Sequence, residues 1–140
     1  MFKFYPELFL KIIVAGAFTF LLTDQISSHL IKSIFHRIRP CNNLAEHVRL
    51  IVDQCGSGFS FVSAHAANSF GIAAFVSAIE KKGRTILALG IWASLVSFSQ
   101  VYVGVHFPAD VGGGAFLGIA VGITTSFILK SKFDFNIQAK

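Results

Sequence analysis

The sequence predicts an all-α fold, a polytopic membrane helix bundle of about four transmembrane helices. Composition is the first reason: 54% of the 140 residues are hydrophobic and 14% are charged, whereas soluble domains carry about 25% charged residues. Apolar runs long enough to cross a bilayer at a rise of about 1.5 Å per residue are the second. The third is a stripe of Gly114, Gly118 and Gly122 at every fourth position, which lets two membrane helices approach closely. This length suits one membrane-embedded domain, residues 1–140. The formal charge of +5 does not point to nucleic acid, because the basic residues are few and lie between apolar spans. Bilayer orientation accounts for some of that charge.

The first apolar run extends from Leu8 to Leu22 and continues as a more polar helical stretch, Thr23 to Lys32. Ala15-Gly16-Ala17 resembles a signal-peptide cleavage site, but the apolar run continues past it, so the span is read as uncleaved. A polar connection follows, from about His36 to Phe61, with a turn at Gly56-Ser57-Gly58. Its length marks it as functional rather than a mere link. The second helical run starts near Ser63 and ends near Ile79; Asn68 and Ser69 inside it should face other helices. A charged turn, Glu80 to Arg84, leads to a third run from Thr85 to about Gly104. Pro108 suits the first turn of a helix and opens the fourth run, which ends near Leu129 before Lys130-Ser131-Lys132.

Four spans place both termini on one side. Lys3, Lys81, Lys82, Arg84, Lys130 and Lys132 share it, and the positive-inside rule makes it cytoplasmic. Lys32, Arg37, Arg39 and Arg49 then fall outside, against the bias, and an anionic ligand supplies the reason. The expected location is the cell (inner) membrane, with the site facing the periplasm or outside. Cys41 and Cys55 lie in this outer connection. A disulfide there would close a loop of about fifteen residues, worth roughly 3 kcal/mol in the chain-entropy model; two free thiols are the other reading.

The chemistry concentrates at the outer helix ends. His106 and Asp110 stand four residues apart around Pro108. A carboxylate bonded to one imidazole nitrogen fixes the tautomer and frees the other nitrogen as base or nucleophile. Taken alone, Asp110 reads equally well as a helix-cap acid beside an interfacial histidine. Two other stretches reach the same end: Lys32 to Pro40, and Val62-Ser63-Ala64-His65. A serine-capped helix start and arginine forks bind phosphate. Two histidines at one phosphate allow one to attack phosphorus and the other to protonate the leaving oxygen.

In these three stretches the chain resembles the type-2 phosphatidic acid phosphatases, which share their core with vanadium haloperoxidases. The family pattern K-x6-R-P is complete at Lys32, Arg39 and Pro40; P-S-G-H appears as Val62-Ser63-Ala64-His65; S-R-x5-H-x3-D appears as Ser99-Gln100, His106 and Asp110. Order and spacing agree in all three. The resemblance implies that His106 is the nucleophile forming a phosphohistidine, Asp110 its orienting partner and His65 the general acid. It makes Lys32, Arg39, Ser63, Ala64 and Gln100 the phosphate-binding set. No metal or other cofactor is implied. Gln100 stands where the family has arginine; it donates a hydrogen bond and brings no charge, which leaves Arg37 and Arg49 to compensate.

The expected function is hydrolysis of a lipid phosphate monoester or pyrophosphate on the outer face, with residues 36–62 as the extracytoplasmic active-site loop. Polyprenyl pyrophosphate, phosphatidylglycerol phosphate, phosphatidic acid and lipid A phosphates are the family's candidate substrates. A catalytically impaired membrane protein that binds phosphorylated lipid is the alternative, favoured by Gln100. A vanadate-dependent haloperoxidase fits less well, because those enzymes are generally larger and soluble. Bacterial members usually have two further helices before the first motif, so this chain is expected to be a minimal four-helix form or an incomplete one. The apolar flank left by such a missing pair would favour homo-oligomers.

Overall fold

The computed structural model describes residues 6–43, 55 and 58–133, and these are helical throughout their regular structure. Helix α1 spans Pro6–Gln25 and passes through a π-helical segment, Ile26–Ile31, into the short α2, Lys32–Phe35. A second short helix, α3, spans Pro40–Asn43. The long helices α4 (Ala64–Glu80), α5 (Gly83–Tyr102) and α6 (Pro108–Phe133) follow. Among the described residues, Pro6–Asn43, Gly83–Tyr102 and Pro108–Lys132 are long and apolar enough to cross a membrane. The 17-residue α4 is the more polar run and forms the buried centre, packing on α1, α5 and α6. The chain is thus a multi-pass membrane protein with a lipid-facing exterior: Leu10, Phe18, Leu87, Leu95, Phe116 and Phe127 are all exposed.

The glycine stripe explains how α4 and α6 become the most extensive helix pair. A Cβ at Gly118 would meet the Ala67 carbonyl oxygen and approach within 2.8 Å of Gly71 N; one at Gly122 would meet the Gly71 carbonyl oxygen. The two backbones therefore lie in contact, which only side-chain-free positions permit. Threonine hydroxyls add ties between helices: Thr19 Oγ1 lies 2.7 Å from Thr125 Oγ1 between α1 and α6, and Thr23 Oγ1 donates to Asn68 Oδ1 at 2.6 Å between α1 and α4.

Helix ends differ from the sequence expectation by a few residues. Ser63 caps α4, its Oγ accepting from Ala66 N–H at 3.4 Å. Pro108 opens α6 as predicted. That helix continues past Lys130 to Phe133, because a lysine at a membrane boundary can lay its stem along the helix and need not stop it. Lys130 Nζ donates to the Ala78 carbonyl and lies within electrostatic reach of Lys81. The basic helix ends thus gather at one pole of the bundle.

Candidate active site

At the opposite pole, the chain leaves α2 by a left-handed residue. His36 has φ 44°, and its N–H returns to the Lys32 carbonyl at 3.3 Å. This reversal carries a non-helical stretch, Arg37-Ile38-Arg39, across the bundle end. Ser60 anchors it: Ser60 N–H donates to the Arg37 carbonyl at 2.7 Å, and its hydroxyl donates to the same oxygen at 3.2 Å. The next tie is between helices, with Ser63 N–H donating to the Asp110 carbonyl at 2.9 Å. The start of α4 and the start of α6 are thereby fixed to each other.

His106 is held from the α5 side. Gly104, at φ 80°, turns the chain after α5, a conformation that glycine adopts without strain. The N–H groups of Val105 and His106 then donate to the Gln100 carbonyl at 3.2 and 3.1 Å. The Gln100 side chain donates to Ser99 Oγ at 3.2 Å, so its fixed contribution to the corner comes from its backbone.

Asp110 is fully buried, and both carboxylate oxygens are engaged. Oδ1 accepts from Arg37 Nη1 at 2.8 Å, and Oδ2 accepts from Phe107 N–H at 2.8 Å. His106 Nδ1 lies 3.6 Å from Oδ2, beyond hydrogen-bond distance. The expected direct imidazole–carboxylate bond is therefore not made; the Phe107 amide occupies the oxygen that faces the ring. The Arg37 guanidinium also lies 4.2 Å from the Phe107 ring centroid, a cation–π distance.

Among the described residues, the buried side-chain polar atoms without a hydrogen-bond partner are Arg39 Nε, His106 Nδ1 and Ser97 Oγ. Two of these three belong to this corner, and buried unsatisfied groups are costly enough to mark a site. Arg39 Nη1 makes a long contact of 3.4 Å to the Val105 carbonyl. Lys32 and Arg39 act on each other and on His106. Burial, aided by the Arg39 and Lys32 cations and opposed by Asp110, pushes the His106 imidazole down to about 4. Its neutral form is therefore the resident form at pH 7.

The fold thus gathers Lys32, Arg39, Ser63, His106 and Asp110 at one end of the bundle. Ala64 opens α4 beside them, and His65 is exposed in the same first turn. Cys41 and Cys55 are joined by a disulfide with Cα atoms 5.8 Å apart. Arg49 and much of the expected loop, residues 44–54 and 56–57, lie outside the described residues. Arg37, which no motif singles out, is the unassigned cation that reaches the centre. Its signal was its place among the cations that fall outside against the orientation bias.

Residues 10–133 match the profile of the PAP2 superfamily. The chain belongs to this superfamily. It is 34% identical over 119 residues to a lipid A 4'-phosphatase of Bacteroides thetaiotaomicron, covering 83% of this chain and 53% of the relative. It is 30% identical over 125 residues to phosphatidylglycerophosphatase B of Bacillus subtilis, covering 83% and 55%. The chain thus spans about half the length of these PAP2 relatives. Among solved structures, LpxE of Aquifex aeolicus superposes with a TM-score of 0.66 at 32% identity, covering 87% of this chain and 68% of that one. The transmembrane PAP2-type phosphatidylglycerolphosphate phosphatase of Bacillus subtilis gives a TM-score of 0.61 at 27% identity, with 92% and 61% covered.

Proposed function

We propose that this PAP2 chain is a membrane-bound phosphatase that hydrolyses a lipid phosphate monoester or pyrophosphate through a phosphohistidine. The observation that carries the reading is the buried, neutral His106 beside fully buried Asp110, within reach of Lys32 and Arg39. Nδ1 faces Asp110, which leaves Nε2 to attack phosphorus. The P–O bond to the lipid breaks as the N–P bond forms, and His65 gives its proton to the leaving oxygen. Water then cleaves the N–P bond and releases inorganic phosphate. Lys32, Arg39, Ser63, the second Nε2 hydrogen of Gln100 and the N–H groups at the start of α4, Ala64 included, hold the phosphoryl oxygens. Their fixed charges and dipoles stabilise the transition state without a metal ion. The imidazolium that forms on attack is stabilised by Asp110.

In this reading Arg37 supplies part of the positive charge that Gln100 lacks. The substrate is a phosphorylated membrane lipid. The lipid A 4'-phosphatase and phosphatidylglycerophosphatase relatives favour a lipid A phosphate or phosphatidylglycerol phosphate over the wider family list. The basic pole is cytoplasmic, and the site and residues 36–62 face outward, where a Cys41–Cys55 disulfide would persist. Phosphate release from such lipids by the purified protein in the presence of a chelator tests the reading. Activity should fall to background in His106→Ala and collapse in His65→Ala; full activity in both would reject the mechanism.

Gln100 supports a second reading, a catalytically impaired phosphate-lipid binder. Gln100→Arg separates the two. A large gain in turnover indicates an impaired catalyst, and lipid binding with no turnover in either form indicates a binder.

A further inference from the structure

A cavity of about 340 Å³ lies between α1, α4 and α5, and His65 forms part of its wall. Phe20, Ile72 and Trp92 give it apolar walls, while Asp24 and Asn68 bring polar groups into it. A carboxylate inside a membrane-spanning helix is expensive and calls for a reason. Asp24 receives one side-chain hydrogen bond among the described residues, from Asn68 Nδ2 to Oδ1 at 3.2 Å. Asn68 is itself oriented, its Oδ1 accepting from Thr23 Oγ1 at 2.6 Å. Turning the amide over would set its oxygen against the carboxylate, so its N–H side faces Asp24. No cation lies within salt-bridge distance of Asp24 among the described residues, and Lys32 acts on it electrostatically from further away. The cavity wall thus holds a carboxylate acceptor, Asp24, together with His65.

We infer that this cavity is the leaving-group subsite and that Asp24 makes it selective. It takes a phosphate monoester whose alcohol carries further hydroxyl or amide N–H donors, of the sugar or glycerol type, and disfavours a pyrophosphate. The inference rests on His65 being the general acid, which places the departing group on the His65 side of phosphorus. A monoester departs as a neutral alcohol, and its remaining donors can bond to the Asp24 carboxylate. A pyrophosphate departs as a phosphate monoester, which carries negative charge toward Asp24 and is repelled. Half-exposed Phe20 and Trp92 at the edge let the acyl chains pass into the bilayer.

The experiment compares kcat/KM of the full chain, in detergent micelles, on three lipids. These are a phosphate monoester with a free hydroxyl next to the ester, its deoxy counterpart, and a prenyl pyrophosphate. The wild type should prefer the hydroxyl-bearing lipid at least tenfold over each of the others. Asp24→Asn should shrink the preference over the pyrophosphate at least fivefold, chiefly by raising pyrophosphate turnover. Equal or faster wild-type cleavage of the pyrophosphate overturns the inference, as does an unchanged ratio in Asp24→Asn. If that variant does not fold, the wild-type comparison of hydroxyl and deoxy lipids decides alone, and equal rates overturn it. Hydrolysis that needs His106 yet ignores leaving-group donors defeats this subsite only. Hydrolysis that survives His106→Ala defeats the phosphohistidine reading, and the subsite falls with it.

Discussion

Gly118 and Gly90 both sit inside apolar helices, yet their surroundings are opposite. A Cβ at Gly118 would meet the backbone of α4, whereas one at Gly90 on α5 would meet nothing within 4 Å. The same contrast separates two regions of the molecule. Along the α4–α6 seam the backbones touch, and the seam runs directly into the site: a Cβ at Gly114 would meet the Ser63 carbonyl oxygen, four residues from Asp110. Along the flanks, α5 and the outer face of α6 present large apolar side chains to the exterior, with Phe116 78% exposed. The difference teaches that hydrophobicity places this chain in the bilayer, while small residues and buried polar ties position the chemistry. In lipid there is little gain from burying one apolar side chain against another, so precision comes from close backbone packing.

The largest effects should therefore follow substitutions at the end of the seam and vanish on the flank. If His106 is the nucleophile proposed above, His106→Ala should lower phosphate release on the order of a thousandfold or more. Phe116→Ala, on the lipid face, should stay within about twofold. A flank substitution as damaging as the site substitution would show that the two regions are not separable. Arg37→Gln comes next. It leaves the buried Asp110 carboxylate with the Phe107 backbone N–H as its remaining hydrogen-bond donor among the described residues, and about ten- to a hundredfold loss in kcat/KM is expected. If Arg37 supplies charge that position 100 lacks, Gln100→Arg in the Arg37→Gln background should restore part of that activity. No restoration would make Arg37 a purely structural partner of Asp110.

Packing defects should be smaller and equally regional. Gly118→Ala is expected to cost about 1–3 kcal/mol, because backbone atoms must move to admit the methyl group. Gly90→Ala should be neutral or stabilising by up to about 1 kcal/mol through helix propensity. Thermal unfolding of the two variants in one detergent measures both, and equal shifts would remove the distinction between seam and flank.

The seam was more legible in the sequence than the site. Gly114, Gly118 and Gly122 announce a close helix contact by spacing alone, and Pro108 announces the start of α6, because both are local backbone effects. The gathering of Lys32, Arg39, Ser63, His106 and Asp110 was legible through motif spacing. What those groups bond to was not. The His106–Asp110 bond expected from an i, i+4 spacing yields to the Phe107 N–H, which the first turn of α6 aims at Oδ2. Arg37 reaches Asp110 because His36 adopts a left-handed conformation, and the sequence offers no glycine there to signal the reversal. Gln100 drew notice for its side chain, while its carbonyl is what holds the His106 turn. Such ties depend on which backbone amides converge in three dimensions.

The subtlest test of the comparison is pH dependence, since the α5 flank holds no histidine or carboxylate to titrate in the acid range. His106 carries an imidazole pushed from 6.5 to about 4, first by burial and then by Arg39 and Lys32. Between those values the unfolded chain binds a proton at this position and the folded chain does not. Stability should therefore fall as pH drops from about 6.5 toward 4, and the His106 contribution should be level above and below that window. His106→Gln removes the group, so its unfolding midpoint should vary less over the same range, with the other titrating groups common to both proteins. The acid limb of wild-type kcat/KM should likewise lie below the ordinary histidine value, because the free protein keeps His106 neutral. Identical pH slopes in the two proteins would mean that the histidine exchanges protons as freely as one in water, and that the corner is not the dry, cation-flanked site its geometry describes.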